Sequence, residues 1–245
     1  MCASKVFIVT ALIALFLVGV AIVLYPTING CVVDSKMEKM AEAFLEEHHS
    51  GIEQLESTAM ETTPRIYEDL WNAMVSYNEQ LWQERQAGLC DPWAYQQPSF
   101  ALEAYGMEEV FGVISIPKLD LNMPIYLGAS AQHLADGAAQ LSQTSLPIGG
   151  NHTNCVIAGH RGWKGASYFR YVPELQPGDE VIITNLWETL RYKVCETKII
   201  APYEVQEILI QKDRELLTLL TCHPYASGGR QRYVVVCERT EEMTP

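Results

Sequence analysis

Three residues that could together perform acyl transfer stand at the edges of apolar runs. Cys222 ends one run, His160 follows a second, and Arg232 opens a third. A thiol nucleophile needs a base or cation that raises its thiolate fraction, and a donor that binds the oxyanion of the tetrahedral intermediate. Each residue alone is typical of packing or of a solvated surface group. In combination they indicate a cysteine acyl-transfer site.

The elements that must position these residues are short strands. From Glu109 onward, β-branched runs alternate with Gly, Pro and Asn, which is typical of consecutive strands joined by turns. Regular short strands favour a closed barrel or a sandwich. We therefore predict a mainly β fold whose catalytic barrel covers residues 103–240. The predicted strands are Val110–Ile116, Met123–Leu127, Cys155–Gly159, Glu180–Thr184, Leu190–Ile200, Leu216–Cys222 and Tyr233–Glu238.

Two motifs in this region are similar to those of a known family. The run from Thr218 to Cys222 matches the Thr-Leu-x-Thr-Cys signature of sortases, and Arg232 followed by Tyr-Val-Val-Val matches their arginine strand. Residues 144–162, which end in Ala-Gly-His-Arg-Gly, look like the approach to the sortase histidine. The chain thus resembles the sortases from about Tyr77 to Glu238. The resemblance implies the sortase type of closed β-barrel.

The resemblance also implies roles for individual residues. Cys222 would be the nucleophile, His160 the acid or base, and Arg232 the oxyanion stabiliser. Leu219 and Thr221 would be neighbours of the active site. A second candidate for the arginine is Arg230, which belongs to a Gly-Gly turn rather than heading an apolar strand.

The chemistry that the resemblance implies is two-step acyl transfer. The enzyme would cleave a Leu-Pro-x-Thr-Gly-like sorting signal between Thr and Gly and pass the acyl group to an amine. This mechanism requires no metal and no organic cofactor.

A second resemblance concerns the predicted loop 89–102. Asp91, Pro92 and Trp93 look like the lid of class C sortases, which assemble pili. In that class the lid aspartate pairs with the arginine and the lid aromatic covers the cysteine, so here Asp91 would meet Arg232 and Trp93 would cover Cys222. Many class C sortases also carry a second membrane segment at the C-terminus, and no apolar run precedes Pro245.

The N-terminal region has the composition of a membrane anchor. Residues 6–25 are almost entirely apolar, and at about 1.5 Å per residue they span the ~30 Å hydrocarbon core. The run ends in Tyr-Pro-Thr, a poor signal-peptide cleavage site, so we expect an uncleaved single-pass anchor. Lys5 keeps residues 1–5 in the cytoplasm, which places the catalytic domain outside the cell.

Residues 34–88 are predicted to form a helical hairpin. The first helix has an apolar face spaced at i, i+3, i+4, i+7 and i+8 from Met37. A second helix is predicted to start at Thr63 and Pro64, with a stripe that runs to Leu81, and to end at Gly88. Both stripes need a partner surface.

Charge and cysteine spacing exclude several functions. The net charge of −13 repels phosphate backbones and therefore disfavours nucleic-acid binding. None of the seven cysteines forms a Cys-x-x-Cys pair, so neither a zinc ribbon nor a thioredoxin-type site is indicated. Cys155, Cys195 and Cys237 stand in strand-like runs and are predicted to be small buried hydrophobic residues.

The leading functional hypothesis is a pilus-assembling transpeptidase that uses a pilin lysine as acceptor. One alternative is a class B-like sortase that attaches surface proteins to peptidoglycan. Another is a membrane-anchored barrel that binds pilin or adhesin without catalysis. A papain-like hydrolase is disfavoured because its cysteine precedes its histidine and opens a helix. The predicted partners are thus pilin or surface-protein substrates and the lipid bilayer.

Overall fold

The computed structural model describes residues 2–58, 67–89 and 94–240. The α-helices are α1 (Cys2–Thr58), α2 (Glu68–Gln83) and α3 (Ala131–Asp136). Short 3₁₀ segments span Leu102–Tyr105, Pro117–Leu119, Val172–Glu174 and Val205–Ile208. The strands are β1 (Val110–Ile116), β2 (Leu121–Leu127), β3 (Ala138–Gln140), β4 (Thr153–Ala158), β5 (Glu180–Asn185), β6 (Thr189–Ile200), β7 (Glu215–His223) and β8 (Gln231–Arg239).

The strands form a closed barrel in the order β1-β2-β3-β4-β7-β8-β6-β5. Neighbouring strands are antiparallel except for β2–β3 and β4–β7, which are parallel. The predicted mainly β closed barrel is therefore confirmed. β3 was not predicted, because three residues with small or polar side chains carry no strand pattern.

The barrel interior is filled by alternate side chains of each strand. Ile157 of β4, Leu219 of β7 and Val235 of β8 are fully buried in the main core cluster. Leu219, predicted to neighbour the active site, therefore packs inside the barrel, and Leu220 faces the cavity described below. The strand period of two sends adjacent residues to opposite faces.

One cysteine differs from its predicted burial. Cys155 and Cys237 are buried, but Cys195 is exposed. The register of β6 against β8 shifts between Val194 and Glu196, so Cys195 is the extra residue of a β-bulge. A bulge re-aims side chains locally, and here it turns this thiol outward.

Helix α1 is a single element that contains both the anchor and the first predicted hairpin helix. Its side chains from Phe7 to Ile28 are exposed, and the helix from Phe7 onward is long and apolar enough to cross a membrane. After Ile28 the helix turns its small and apolar residues toward the barrel, where Met37 and Ala41 are buried. The predicted anchor therefore continues into the barrel-packing segment without a loop.

Helix α2 covers one side of the barrel. Leu70 and Met74 pack into a cluster with Phe111 of β1. The Leu146 N–H donates to Asn78 Oδ1 at 2.8 Å, which ties the helix to the barrel wall. The predicted start at Thr63 and Pro64 lies outside the described residues, and the helix ends at Gln83, before Gly88, with turns between the two.

Candidate active site

Cys222 is the penultimate residue of β7 and lies opposite Arg232 of β8 in the antiparallel ladder. Its side chain is half-buried and lines a cavity. The turn that joins the two strands passes close by at Gly229. A Cβ at that position would lie 3.2 Å from Cys222 Sγ and 2.7 Å from Arg232 Nη1. With φ at +78°, the position favours glycine both for its backbone and for the space it leaves around the thiol.

His160 reaches the same cavity because β4 runs parallel to β7. Ala158 is paired with Leu220, and the Gly159 N–H donates to Leu220 O at 3.1 Å. Beyond that rung the Thr221 hydroxyl donates to Gly159 O at 2.8 Å. These two hydrogen bonds keep the segment after β4 beside β7 as far as His160 and Cys222. The buried Thr221 thus holds the segment that bears His160 against β7, the strand that bears Cys222.

The imidazole of His160 is held by aromatic rings. Its centroid lies 5.1 Å from that of Trp163 and 5.6 Å from that of Tyr168, the latter edge-on at 90°. The Phe169 N–H donates to His160 O at 2.9 Å and so closes the loop that follows. Burial among these groups lowers the pKa of His160 below its ordinary value of 6.5. The neutral imidazole is therefore the predominant form at neutral pH.

Arg232 enters the cavity from the start of β8. Its Nη1 donates to Gly229 O and, at 3.2 Å, to Gln231 O, which fixes the guanidinium against the turn. Arg232 lines the cavity, whereas Arg230 is exposed in the turn before the strand begins. The position of Arg232 therefore matches that of an oxyanion donor better than the position of Arg230 does.

The cavity has a volume of about 210 Å³. Its wall is apolar for most of its extent. It is lined by Ala94, Tyr95, Ala129, Leu134, Leu141, Ala158, Gly159, His160, Leu220, Thr221, Cys222 and Arg232. Such a shape suits an extended peptide with apolar side chains and one reacting carbonyl. Across the described residues, no group of three His, Cys, Asp or Glu side chains could hold a metal ion.

The segment that follows the predicted lid contributes to the wall of the cavity. Asp91, Pro92 and Trp93 lie outside the described residues, and the next residues, Ala94 and Tyr95, line the cavity. This segment is tied to the barrel further along, because the Gln96 N–H donates to Ala129 O at 3.0 Å and the Ser142 hydroxyl to Gln97 O at 2.6 Å.

A second pair of residues beside the site was not predicted. Arg161 Nη1 lies 2.7 Å from His223 Nδ1 and 3.4 Å from Cys222 O. Burial and the Arg161 charge lower the pKa of His223. His223 Nδ1 therefore accepts from the guanidinium, and the ring proton is on Nε2. The signal in the sequence was adjacency: these residues directly follow His160 and Cys222, so parallel pairing brings them together as well.

Helix α1 supports the loop that follows His160. Asp34 accepts two bonds from the Ser167 N–H, at 2.9 Å to Oδ1 and 3.2 Å to Oδ2. The next residue, Tyr168, is buried against the imidazole and donates to Ala135 O at 2.7 Å. The histidine side of the cavity therefore depends on contacts with α1.

Comparisons with known proteins agree with this geometry. Among solved structures, the pilus-related sortase C of group B Streptococcus is 32% identical, with a TM-score of 0.58 over 70% of this chain and 91% of that one. Sortase C-1 of Streptococcus pneumoniae is 28% identical, with a TM-score of 0.61 over 83% of this chain and 98% of that one. Among curated relatives, sortase D of Bacillus subtilis is 28% identical over 130 residues.

The match to sortase D covers 52% of this chain and 63% of the relative, less than two thirds of its length. A family model described as Sortase domain matches residues 114–240. That range contains β4, β7 and β8 together with His160, Cys222 and Arg232. It covers more than half of the sequence. The chain therefore belongs to the sortase family.

Proposed function

We propose that this protein is a class C cysteine transpeptidase that cleaves a sorting signal and joins it to a pilin lysine. The observation that carries the proposal is that Cys222, His160 and Arg232 line a single cavity. Cys222 lies on β7, Arg232 lies on β8 and His160 follows β4, and these three strands are neighbours in the barrel. This arrangement supplies a nucleophile, a proton carrier and an oxyanion donor.

In the first half-reaction, the Cys222 thiolate attacks the carbonyl carbon of the Thr–Gly bond. The carbonyl oxygen becomes an oxyanion, which the Arg232 guanidinium stabilises by charge-assisted hydrogen bonds. Protonated His160 gives its proton to the glycine nitrogen, the C–N bond breaks, and a thioester remains on Cys222. General acid catalysis of this kind contributes about 10²–10⁴ in rate. Because burial lowers the pKa of His160, only part of the enzyme carries this proton at neutral pH.

In the second half-reaction, a lysine amine attacks the thioester carbon. Neutral His160 accepts the proton of the amine, Arg232 again binds the oxyanion, and the Cys222 thiolate leaves. The product is an amide between the threonine carboxyl and the lysine. The apolar walls of the cavity favour this outcome, since they exclude the water that would otherwise hydrolyse the thioester.

The choice of a pilin acceptor rests on two observations. The similar solved structures include a pilus-related sortase C, and Ala94 and Tyr95, which directly follow the predicted lid residues, line the cavity. We propose that Asp91 pairs with Arg232 and that Trp93 covers Cys222 when the lid is closed.

We propose further that the barrel lies outside the cell and that α1 is a single-pass anchor. The cation that precedes the apolar run, Lys5, favours a cytoplasmic N-terminus. Protease added to cells stripped of their wall should digest the barrel and leave a membrane-bound fragment with the apolar residues of α1. A fully released protein would contradict the anchor, and a barrel protected from protease would contradict its orientation.

The test of the reaction uses the full-length protein in detergent or nanodiscs. Incubation with a Leu-Pro-x-Thr-Gly peptide should give an adduct on Cys222, detected by mass spectrometry, and release the fragment that begins with glycine. Addition of a lysine-bearing pilin fragment should convert the adduct to an isopeptide-linked product. Cys222→Ala should give neither, and its unchanged thermal unfolding would show that the fold is intact.

The same assay separates the alternatives. A Cys222 adduct that is resolved by a peptidoglycan-type peptide amine in preference to pilin lysine would favour surface-protein anchoring. Peptide binding without an adduct or cleavage would favour the binding module and overturn the proposed reaction.

A further inference from the structure

The first residues of α1 that contact the rest of the protein meet the turn formed by residues 162–165, which begins two residues after His160. Asn29 Nδ2 donates to Lys164 O at 2.9 Å. Gly30 and Gly165 face each other so closely that a Cβ on either would overlap backbone atoms of the opposite segment. We call residues 162–165 the membrane-proximal turn, because it packs directly on the helix where the apolar run ends.

The distance of this turn from the hydrocarbon core of the bilayer follows from helix geometry. The apolar run ends at Tyr25, and five residues at a rise of about 1.5 Å place Gly30 roughly 7.5 Å further along the axis. The headgroup layer on each side of a bilayer is about 5–7 Å thick, from the difference between the hydrocarbon and total thickness. A turn packed between Pro26 and Gly30 therefore lies at the level of the lipid headgroups.

The side chains of the turn suit that level. Trp163 is 37% exposed, and Lys164 is exposed with its Nζ 4.1 Å from the centre of the Trp163 ring. Tryptophan is enriched at the boundary between headgroups and hydrocarbon, and lysine extends its charge to the phosphates. The rest of the chain has a net charge that repels anionic lipids. The cation and the indole ring beside the apolar run are therefore a local exception to the negative charge of the chain.

We propose that the membrane-proximal turn binds the bilayer surface, with Trp163 at the headgroup boundary and Lys164 on lipid phosphate. The proposal rests on α1 spanning a bilayer and does not depend on the acyl-transfer chemistry. The Trp163 ring lies 5.1 Å from the imidazole of His160, so the turn also contacts the histidine of the site.

The test measures tryptophan fluorescence of the full-length protein in nanodiscs with lipids brominated near the carbonyl end of the acyl chain. Helix α1 contains no tryptophan, so quenching reports contact by other segments. Trp163→Phe should remove most of the quenched emission. Trp187→Phe is the matched control, because Trp187 packs against Trp71 and Phe111 on the side of the barrel covered by α2; that variant should keep the quenching.

A second arm tests the contact with phosphate. Phosphatidylglycerol in the nanodisc should increase the quenching of Trp163 relative to phosphatidylcholine alone, and Lys164→Glu should abolish the increase. Equal quenching in the parent and in Trp163→Phe would overturn membrane contact by the turn. An increase that persists in Lys164→Glu would overturn the role of the lysine. Neither replacement removes a core side chain, since both residues are exposed.

Discussion

Cys222 and Arg232 face each other directly across the antiparallel pair of β7 and β8. Directly opposed residues share one face of a sheet, with Cβ atoms about 4.5–5.5 Å apart. A slip of one residue would turn the arginine to the other face. Arg230 is two residues from Arg232 and so has the same position in the alternation of side chains. It precedes β8, however, and two residues at the strand rise displace it by about 7 Å along the chain.

This register predicts different effects for the two arginines. Arg232→Lys should lower kcat/KM for peptide cleavage by about 10²–10³, because a lysine cannot reproduce the fixed fork of the guanidinium at the oxyanion. Arg230→Lys should change it by no more than about twofold, as is usual for exposed positions. Steady-state cleavage of a fluorogenic sorting peptide measures both. The reverse pattern would transfer the oxyanion role to Arg230.

The hydrogen bond from Thr221 to Gly159 predicts that replacing Thr221 lowers both the stability of the fold and the activity of the site. Thr221→Val keeps the shape but leaves a buried carbonyl unpaired, at a cost of about 1–3 kcal/mol in unfolding free energy. Activity should also fall severalfold, because His160 loses its registration against Cys222.

Thr218→Val is the matched control for that experiment. Thr218 is also buried on β7 and donates to Asn154 Oδ1 at 2.8 Å, toward the other end of the strand. Its replacement should destabilise the fold by a similar amount while kcat/KM of the folded enzyme stays close to that of the parent. Equal losses of activity in both variants would mean that Thr221 acts through general stability alone.

The proposed lid predicts faster access to the thiol when its contacts are removed. A partly buried pair of Asp91 and Arg232 would be worth about 1.5–3 kcal/mol. Its loss should raise a rare open population roughly tenfold to a hundredfold. Asp91→Ala and Trp93→Ala should therefore accelerate alkylation of Cys222 by iodoacetamide, measured by peptide mapping.

The exposed thiols of Cys31 and Cys195 provide an internal reference, because their alkylation rates should not change. If Cys222 reacts no faster in either variant, residues 91–93 form an ordinary loop, and attachment to peptidoglycan becomes the better hypothesis.

Burial of His160 predicts a loss of stability in mild acid. The native pKa lies below the ordinary 6.5, so the unfolded chain takes up the proton first as the pH falls. Unfolding free energy should therefore decrease below about pH 6.5, with a slope of at most about 1.4 kcal/mol per pH unit from this group. Denaturant titrations between about pH 7.5 and 5.5 should show a smaller decrease for His160→Gln than for the parent. An equal decrease would place the sensitivity elsewhere.

The sequence predicted the barrel because most strands carry β-branched residues between clear turn signals. The chemistry that a thiol requires, together with the sortase motifs, predicted three site residues that the structure brings to one cavity. The parallel pairing of β4 with β7 could not be predicted from periodicity, since nothing in either strand specifies a partner about 60 residues away.

Other features depend on tertiary contacts that no local pattern carries. The outward turn of Cys195 results from a bulge against β8. The bond between Arg161 and His223 exists only because two strand ends meet. The close packing of α1 on the turn after His160 likewise depends on Gly30, whose missing side chain lets the helix lie against Gly165.

The central place of β7 between β4 and β8 determines how the enzyme can lose its activity. Pairing holds β7 to β4 from Glu215 to Leu220 and to β8 from Leu216 to His223, so its amides should exchange with solvent only in the largest openings of the native state. Local fraying can move the loop that carries His160, while the pairing of β7 with β8 keeps Cys222 opposite Arg232. Heat or denaturant should therefore separate the nucleophile from the arginine only with the cooperative unfolding of the barrel, and hydrogen exchange should rank β7 among the slowest segments of the chain.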